Sequence, residues 1–314
     1  MPAADVSTNS STDGWYILEI QKMMYGFGDS KYSLKETAEL VEKIVKEQLI
    51  QFLNALSEVA VKINSKKIGI KEFLVLLRHS PVKLRRFCTY LQASGFKDLA
   101  KEDDLPKDIM TEFSDLHTGN KKLNSALAFL QHLDPSCYLC NVADPSKPFL
   151  LPDDALKERN ERIERMTLAM EKGQYIEYSQ AKSTSFKRGQ PSGKFQDWLL
   201  KDSPAPEVAL SATAWSILSY FAYETIAQIV DLAFIVRRDN MAGQVSDAVQ
   251  RNTAPRVSPA NADLFKPTWS NSMKPLQTAE VSEAIRRFNN THNSIFSPFR
   301  RNGVPPPGHR LLAL

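Results

Sequence analysis

Between residues 208 and 236 this chain of 314 residues has neither lysine nor arginine, and no other feature limits its folding so tightly. The stretch "ALSATAWSILSYFAYETIAQIVDLAFIVRRD" covers residues 209–239. As a helix it is long enough to cross a hydrocarbon core of roughly 30 Å. Glu224, Gln228 and Asp231, however, stand at i, i+4 and i+7, which stacks them on one helix face. A carboxylate at mid-membrane costs at least about 2.5 kcal/mol, and here two of them share a stripe with an amide. The better reading is a long core helix, buried on most sides, with one narrow polar stripe. Ile217, Tyr220 and Phe221 lie along that stripe, and aromatic rings beside carboxylates suit a protein partner. Tyr220, Glu224, Gln228 and Asp231 are therefore the expected partner contacts; the competing reading for Glu224 is an internal ion pair.

A second long helix is written nearer the start, in "SLKETAELVEKIVKEQLIQFLNALSEVAVKI". Ser33 with Glu36 three residues on has the pattern of a capping box. Leu40, Ile44, Leu49, Phe52, Leu53 and Leu56 recur at helical spacing within an apolar stripe of roughly eight turns. The stripe is too wide for a two-stranded coiled coil, so the helix must bury two flanks. Before it comes a short helical piece, "WYILEIQKMMYGFGD", ended by Gly26 and Gly28. After it come the loop "NSKKIGI" and "KEFLVLLRHSPVKLRRFCTYL", which Pro81 divides into two short helices. Short helix, long helix, short helix is the outline of a histone fold, whose central helix crosses that of a partner.

The outline recurs later in the chain. "SGKFQDWLL" serves as a first helix, 209–238 as the long one, and "TAEVSEAIRRF" as the third, with Thr278 as its expected cap and Glu280 in its first turn. Leu218, Ala222, Ile229 and Leu232 are the expected pairing core on this side. Tethering raises the local concentration of two half-units to about the millimolar scale, which favours a pair within the chain over a homodimer. The expected architecture is all-α, with two histone folds on one chain, 15–92 and 191–292, and a linker, 93–190, helical over about 153–182. A polar N-terminus (1–14), a mobile insert (241–276) and a tail (293–314) complete it.

Charge and composition narrow the function. With 40 basic against 36 acidic residues, the net charge of +4 is too balanced for a protein that lives by wrapping nucleic acid. Three cysteines and no apolar leader at the start point to a reducing compartment. Cys137 and Cys140 form a lone Cys-x-x-Cys, with His132 five residues upstream of the first; a zinc site needs four ligands, and loop cysteines are the simpler reading. His79, His117, His292 and His309 stand apart, with no nucleophile elbow or phosphate loop near them, so catalysis, cofactor and metal are not expected. "VKLRRF", 82–87, alternates cations with Leu84 and Phe87, which suits packed stems with wet charges better than a phosphate surface. Arg286 and Arg287 of "IRRF" are candidate partners for Asp231 or Glu224. In "KERNERIERMTLAMEKGQYIEYSQAK", a charged linker helix, the tyrosines and isoleucine of "QYIEY" favour a docking element over a solvated one.

Particular motifs then carry a resemblance. "EIQKMMYGFGD", "LKETAELVEKIVKEQLI", "LRRF", "RIERMTLAM", "QYIEY", "KFQDWL", "AYETIAQIVDLAFIVRRD", "EAIRRF" and "SPFRRNG" occur in this order over most of 15–303. Together they resemble the suppressor-of-Ty three family, the tandem-histone-fold subunits of the SAGA transcription coactivator. The resemblance implies a non-enzymatic nuclear protein whose two folds pair within the chain, inside a larger assembly of paired histone-fold subunits, and which engages the TATA-binding protein and promotes RNA polymerase II initiation. It implies no membrane and no small-molecule substrate. The alternative is a histone-like DNA-binding or promoter-binding protein, set apart by steep salt dependence. The chain departs from the family at Gly69 and Ile70, where a hydroxyl cap and proline are usual; a helix start weaker by about 1 kcal/mol is expected there. Ser33 also replaces a common proline.

Overall fold

A computed structural model describes residues 14–102, 120–148, 151–187, 190–191, 193–201, 208–245, 274–290 and 311–312. The described residues form helices and no strand, in the order α1 (Ile17–Gly26), α2 (Lys35–Lys62), α3 (Ile70–Leu77), α4 (Pro81–Glu102), α5 (Lys121–Leu133), α6 (Tyr138–Ala143), α7 (Asp154–Leu168), α8 (Lys172–Lys182), α9 (Lys194–Leu200), α10 (Ala212–Val245) and α11 (Thr278–Asn290). The all-α expectation holds. Most of the expected N-terminus, insert and tail, with His117, His292, His309 and "SPFRRNG", lies outside the described residues.

Two compact units make up the chain: Met1–Glu47 with Glu161–Lys201 and Thr225–Ser297, and Gln48–Asn160 with Asp202–Glu224 and Pro298–Leu314. The dividing points fall inside α2, α7 and α10, so each unit draws on both halves of the sequence. That is consistent with two histone folds paired within one chain. In the first unit Tyr16 is fully buried, with ring centroids 4.9 Å from Phe186 and 5.3 Å from Trp198. Both contacts are edge-on, as the quadrupoles of aromatic rings favour. Glu42 accepts the Trp15 and Tyr16 N–H groups at 2.9 and 3.3 Å. It thereby satisfies free donors at the entry to α1. In the second unit Phe52 of α2, Phe73 of α3 and Phe221 of α10 meet face and edge at 4.9 to 5.6 Å, and Phe87 of α4 closes the cluster. By length and apolarity 212–240 qualifies as a membrane span, but its side chains are those of a core helix: Leu218, Phe221, Ala222, Ile226, Ile229, Val230 and Ala233 are all buried.

Several local expectations are corrected. Ser33 does not cap α2: its hydroxyl donates to the Ser30 carbonyl at 3.0 Å, and the first helical carbonyl is that of Leu34. α3 starts less weakly than its glycine suggests, because the Glu72 carboxylate, buried, reaches back to the Gly69 N–H at 2.7 Å. This is the glutamate half of a capping box. Pro81 opens α4 at the first helical position, where its missing N–H costs nothing, and the helix then runs to Glu102 instead of ending early. The linker helix is two helices, α7 and α8, and the second is capped by Glu171, whose N–H is taken by the Gln174 side chain at 3.3 Å. Gln277 rather than Thr278 precedes α11, and its N–H meets the Glu280 carboxylate at 2.8 Å. α5 and α6 lie in a region from which the sequence offered no assignment. Asn120 builds α5 by accepting the Leu123 N–H at 3.1 Å while donating to the Gln92 carbonyl of α4 at 2.9 Å.

Candidate functional site

The basic run of α4 is engaged within the fold. Leu84 and Phe87 face the core, while Lys83 donates to the Leu312 carbonyl at 2.6 Å. The Arg85 guanidinium spans the chain beyond α6, donating to the carbonyls of Val142, Asp144, Pro145 and Lys147. Of these, the Val142 carbonyl, in the last turn of α6, is the kind of acceptor that a helix end leaves behind. Arg86 forks onto both oxygens of Asp153, at 2.7 and 2.5 Å, just ahead of α7. Such two-point pairing is the strong form of a charged hydrogen bond. Its third nitrogen lies 3.5 Å from Glu224, and Arg159 of α7 approaches the same Glu224 oxygen at 3.8 Å. Burial alone would raise the Asp153 carboxyl, but the Arg86 hydrogen bonds and charge hold it below its ordinary value.

The polar stripe of α10 is thus not open. Glu224 is held by Arg86 and Arg159, and its side chain is only 17% exposed. Asp231 is paired with Arg162 of α7, whose Nε also donates to the Phe27 carbonyl at 3.2 Å. The same guanidinium lies 4.6 Å from the Phe234 ring centroid. At that distance the ring face attracts the cation. Gly28, at φ +105°, leaves room for this side chain: a Cβ there would stand 2.9 Å from Arg162 Nε. Only glycine takes up that backbone conformation readily. Tyr220 stacks on Tyr90 of α4 at 4.1 Å and 16°. Gln228 is half-buried. The anticipated partners were the wrong arginines. Arg286 pairs with Glu283, and Arg287 with Glu283 and Asp239, on and beside their own helix. Of the expected pairing core, Leu49, Phe52, Leu53, Leu56, Leu218, Ala222 and Ile229 are buried, whereas Leu40, Ile44 and Leu232 are half-buried.

Sequence reasoning missed Asp153, Arg159 and Arg162. A signal for the two arginines was present: Arg159, Arg162 and Met166 recur at i, i+3 and i+7 and are all buried, so α7 turns a cationic stripe inward, where lysine and glutamate occupy its other side.

α8 packs against α1 within the first unit. Tyr178 of "QYIEY" is buried, its hydroxyl donates to the Gly26 carbonyl at 3.0 Å, and its ring meets Tyr25 edge-on at 5.4 Å. Gly26 permits the approach, since a Cβ there would be 3.1 Å from the Lys182 Cα. Tyr175 and Ile176 of the same motif remain outward, so it docks with one tyrosine and exposes its other two large side chains. Beside the α1–α8 contact runs a groove of about 490 Å³ whose lining includes Leu18, Gln21, Tyr25, Tyr32 and Gln180. Leu18 and Tyr32 are 70% and 73% exposed, and a Lys31–Glu177 ion pair of 2.5 Å lies along the same groove.

Two of the thiols among the described residues are not prepared as nucleophiles. Burial pushes the Cys88 thiol up to about 12 and the Cys140 thiol above its ordinary value, so neither is a thiolate at neutral pH. Among the described residues no three His, Cys, Asp or Glu side chains gather as a metal set. The arrangement can present surfaces and hold helices in register.

The chain is similar to several known proteins. Residues 15–104 match the family described as transcription initiation factor IID, 18kD subunit. The chain is 26% identical over 313 residues to the SAGA complex subunit Spt3 of Schizosaccharomyces pombe, covering 92% of this chain and 95% of that protein. It is 28% identical over 280 residues to the SAGA complex subunit Spt3 of Drosophila melanogaster, covering 87% of this chain and 67% of that one. Over 70 residues, 22% of this chain and 52% of the relative, it is 40% identical to transcription initiation factor TFIID subunit 13 of Arabidopsis thaliana. The resemblance to the suppressor-of-Ty three family extends over nearly the whole chain.

Proposed function

We propose, for a chain that resembles the Spt3 subunits of SAGA along nearly its whole length, that it is a nuclear subunit of a SAGA-type transcription coactivator and acts by protein contacts without catalysis. It engages the TATA-binding protein and neighbouring histone-fold subunits, and so promotes initiation by RNA polymerase II. One observation carries the reading: the match to the Schizosaccharomyces pombe protein covers 92% of this chain and 95% of that relative, so it includes the linker as well as both fold outlines. The interior supports it, because Arg85 and Arg86 of the basic run are engaged with the carbonyls around the end of α6 and with Asp153 and Glu224.

In this reading Tyr220, Glu224, Gln228 and Asp231 serve the partner indirectly. Glu224 and Asp231 hold α7 through Arg159 and Arg162, Tyr220 and Gln228 lie along the same stripe, and the partner meets the outward side of α7, where Leu168 is exposed. The experiment is recovery of the TATA-binding protein on the tagged chain from nuclear extract, repeated with Leu168→Asp. The expected result is co-elution of the TATA-binding protein with coactivator subunits, at a level reduced by the substitution while the other subunits are retained. Recovery of the coactivator subunits with no TATA-binding protein at all would overturn the partner assignment.

A further inference from the structure

We infer that the face of α2 and α4 around Gln48 and Lys83 is a peptide-binding slot, filled within this chain by Leu312 and able to exchange that occupant for a leucine-bearing peptide. Leu312 belongs to no helix, yet it is only 1% exposed, and Leu311 before it is half-buried. Its partners are remote in sequence. The Leu312 N–H donates to Gln48 Oε1 of α2 at 2.8 Å, 264 positions away, and its carbonyl accepts from Lys83 Nζ of α4 at 2.6 Å, 229 positions away. All three residues belong to the same compact unit.

The mode of contact is that of recognition rather than of chain packing. Both backbone groups of Leu312 are met by side chains, so the residue is buried with neither its donor nor its acceptor left unpaired. Lysine has no acceptor and can bind only the carbonyl, while Gln48 offers its oxygen to the N–H. Together the two side chains set the direction in which the segment crosses α2 and α4. They read its backbone, which every residue shares, and the buried side chain is what selects leucine. Removal of that side chain from water supplies the driving force.

A single anchor with two hydrogen bonds makes a weak contact, with a dissociation constant of about 100 µM expected for a separate peptide. A tether changes that balance. At an effective concentration of about 1 mM, the chain's own Leu312 fills the slot about nine-tenths of the time and weakens an added peptide about 10-fold. The apolar "LLAL" of 311–314 follows "NGVPPPGHR", a stretch rich in proline and glycine with the composition of a linker. Leu312 is thus an anchor carried on a tether.

The test uses a labelled peptide of residues 305–314, "PPPGHRLLAL", titrated by fluorescence anisotropy with the full chain and with a chain lacking those residues. The shortened chain should bind it with a dissociation constant of about 100 µM and the full chain about 10-fold more weakly, because its own Leu312 competes. Leu312→Asp in the peptide, or Gln48→Ala/Lys83→Met in the shortened chain, should weaken binding by at least about 10-fold. A cooperative thermal transition shows that each variant is folded. If the shortened chain does not fold, the full chain carrying Leu312→Asp takes its place, since its tail is present but cannot enter the slot. Equal binding by the full and shortened chains would overturn the inference, as would absence of binding by the folded shortened chain at about 1 mM. A Leu312→Asp peptide bound as tightly as the unaltered one would also overturn it. So would unfolding of the full chain on Leu312→Asp, which would make Leu312 a fixed part of the core.

Discussion

Glu224 shows how a residue can be singled out correctly and given the wrong surroundings. A carboxylate in the middle of an apolar helix has to be explained, and an internal ion pair was one of two readings open in the sequence. The arginines that meet it come from α4 and α7, far along the chain, and no local periodicity could name them. Glu224→Lys would place a third cation against Arg86 and Arg159. The expected loss is about 3 kcal/mol, with Tm lower by about 6 to 12 °C by calorimetry, whereas a shift under about 2 °C would mean that the pair contributes little. Arg237 forms a similar centre, its guanidinium forking onto Glu280 at 2.7 and 2.6 Å and capping the carbonyls of Lys274 and Pro275 at 2.8 Å each. Burial would raise the Glu280 carboxyl, yet the Arg237 hydrogen bonds and charge hold it below its usual value. A depressed carboxylate stabilises the fold above its unfolded pKa, near 4.5, and that contribution disappears as pH falls through the lower folded value. Arg237→Ala should therefore lose stability at pH 7 and much less at pH 3. Urea titrations at the two values check this, and an equal loss at both would show that packing, not charge, is what the arginine supplies.

At the scale of elements, both long helices, their apolar stripes and the chain-breaking role of Pro81 were legible, because period and proline chemistry are local. Helix starts were less so. Ser33 has the residue type of a cap, but its hydroxyl donates to Ser30; Glu72 and Glu280 instead reach back from inside α3 and α11. The break between α7 and α8 was invisible because "MTLAMEKGQ" has good helix formers on both sides, and packing of Tyr178 against α1 decides where the second helix lies. Removing only the hydroxyl, Tyr178→Phe, should cost about 1 kcal/mol, while Tyr178→Ala should cost about 3 kcal/mol or more and free α8. Limited proteolysis would then show new cleavage within 172–182 for Tyr178→Ala and not for Tyr178→Phe; identical patterns would mean that α8 is held by other contacts.

For the whole molecule, the decisive fact is that each compact unit takes segments from both ends of the sequence. Surface such as Phe52 and Phe221, 4.9 Å apart, is buried by residues more than a hundred positions away in the chain. Neither half can therefore hide its own apolar stripe. The pairing was readable from the width of those stripes; the cationic inner side of α7 was not, since it depends on which helix the linker happens to cover. The most direct measurement is to divide the chain within 103–119 and produce the two pieces separately and together. The account predicts that neither piece alone gives a cooperative thermal transition, and that together they elute as a one-to-one complex with a single transition. A first piece that folds cooperatively by itself would contradict it.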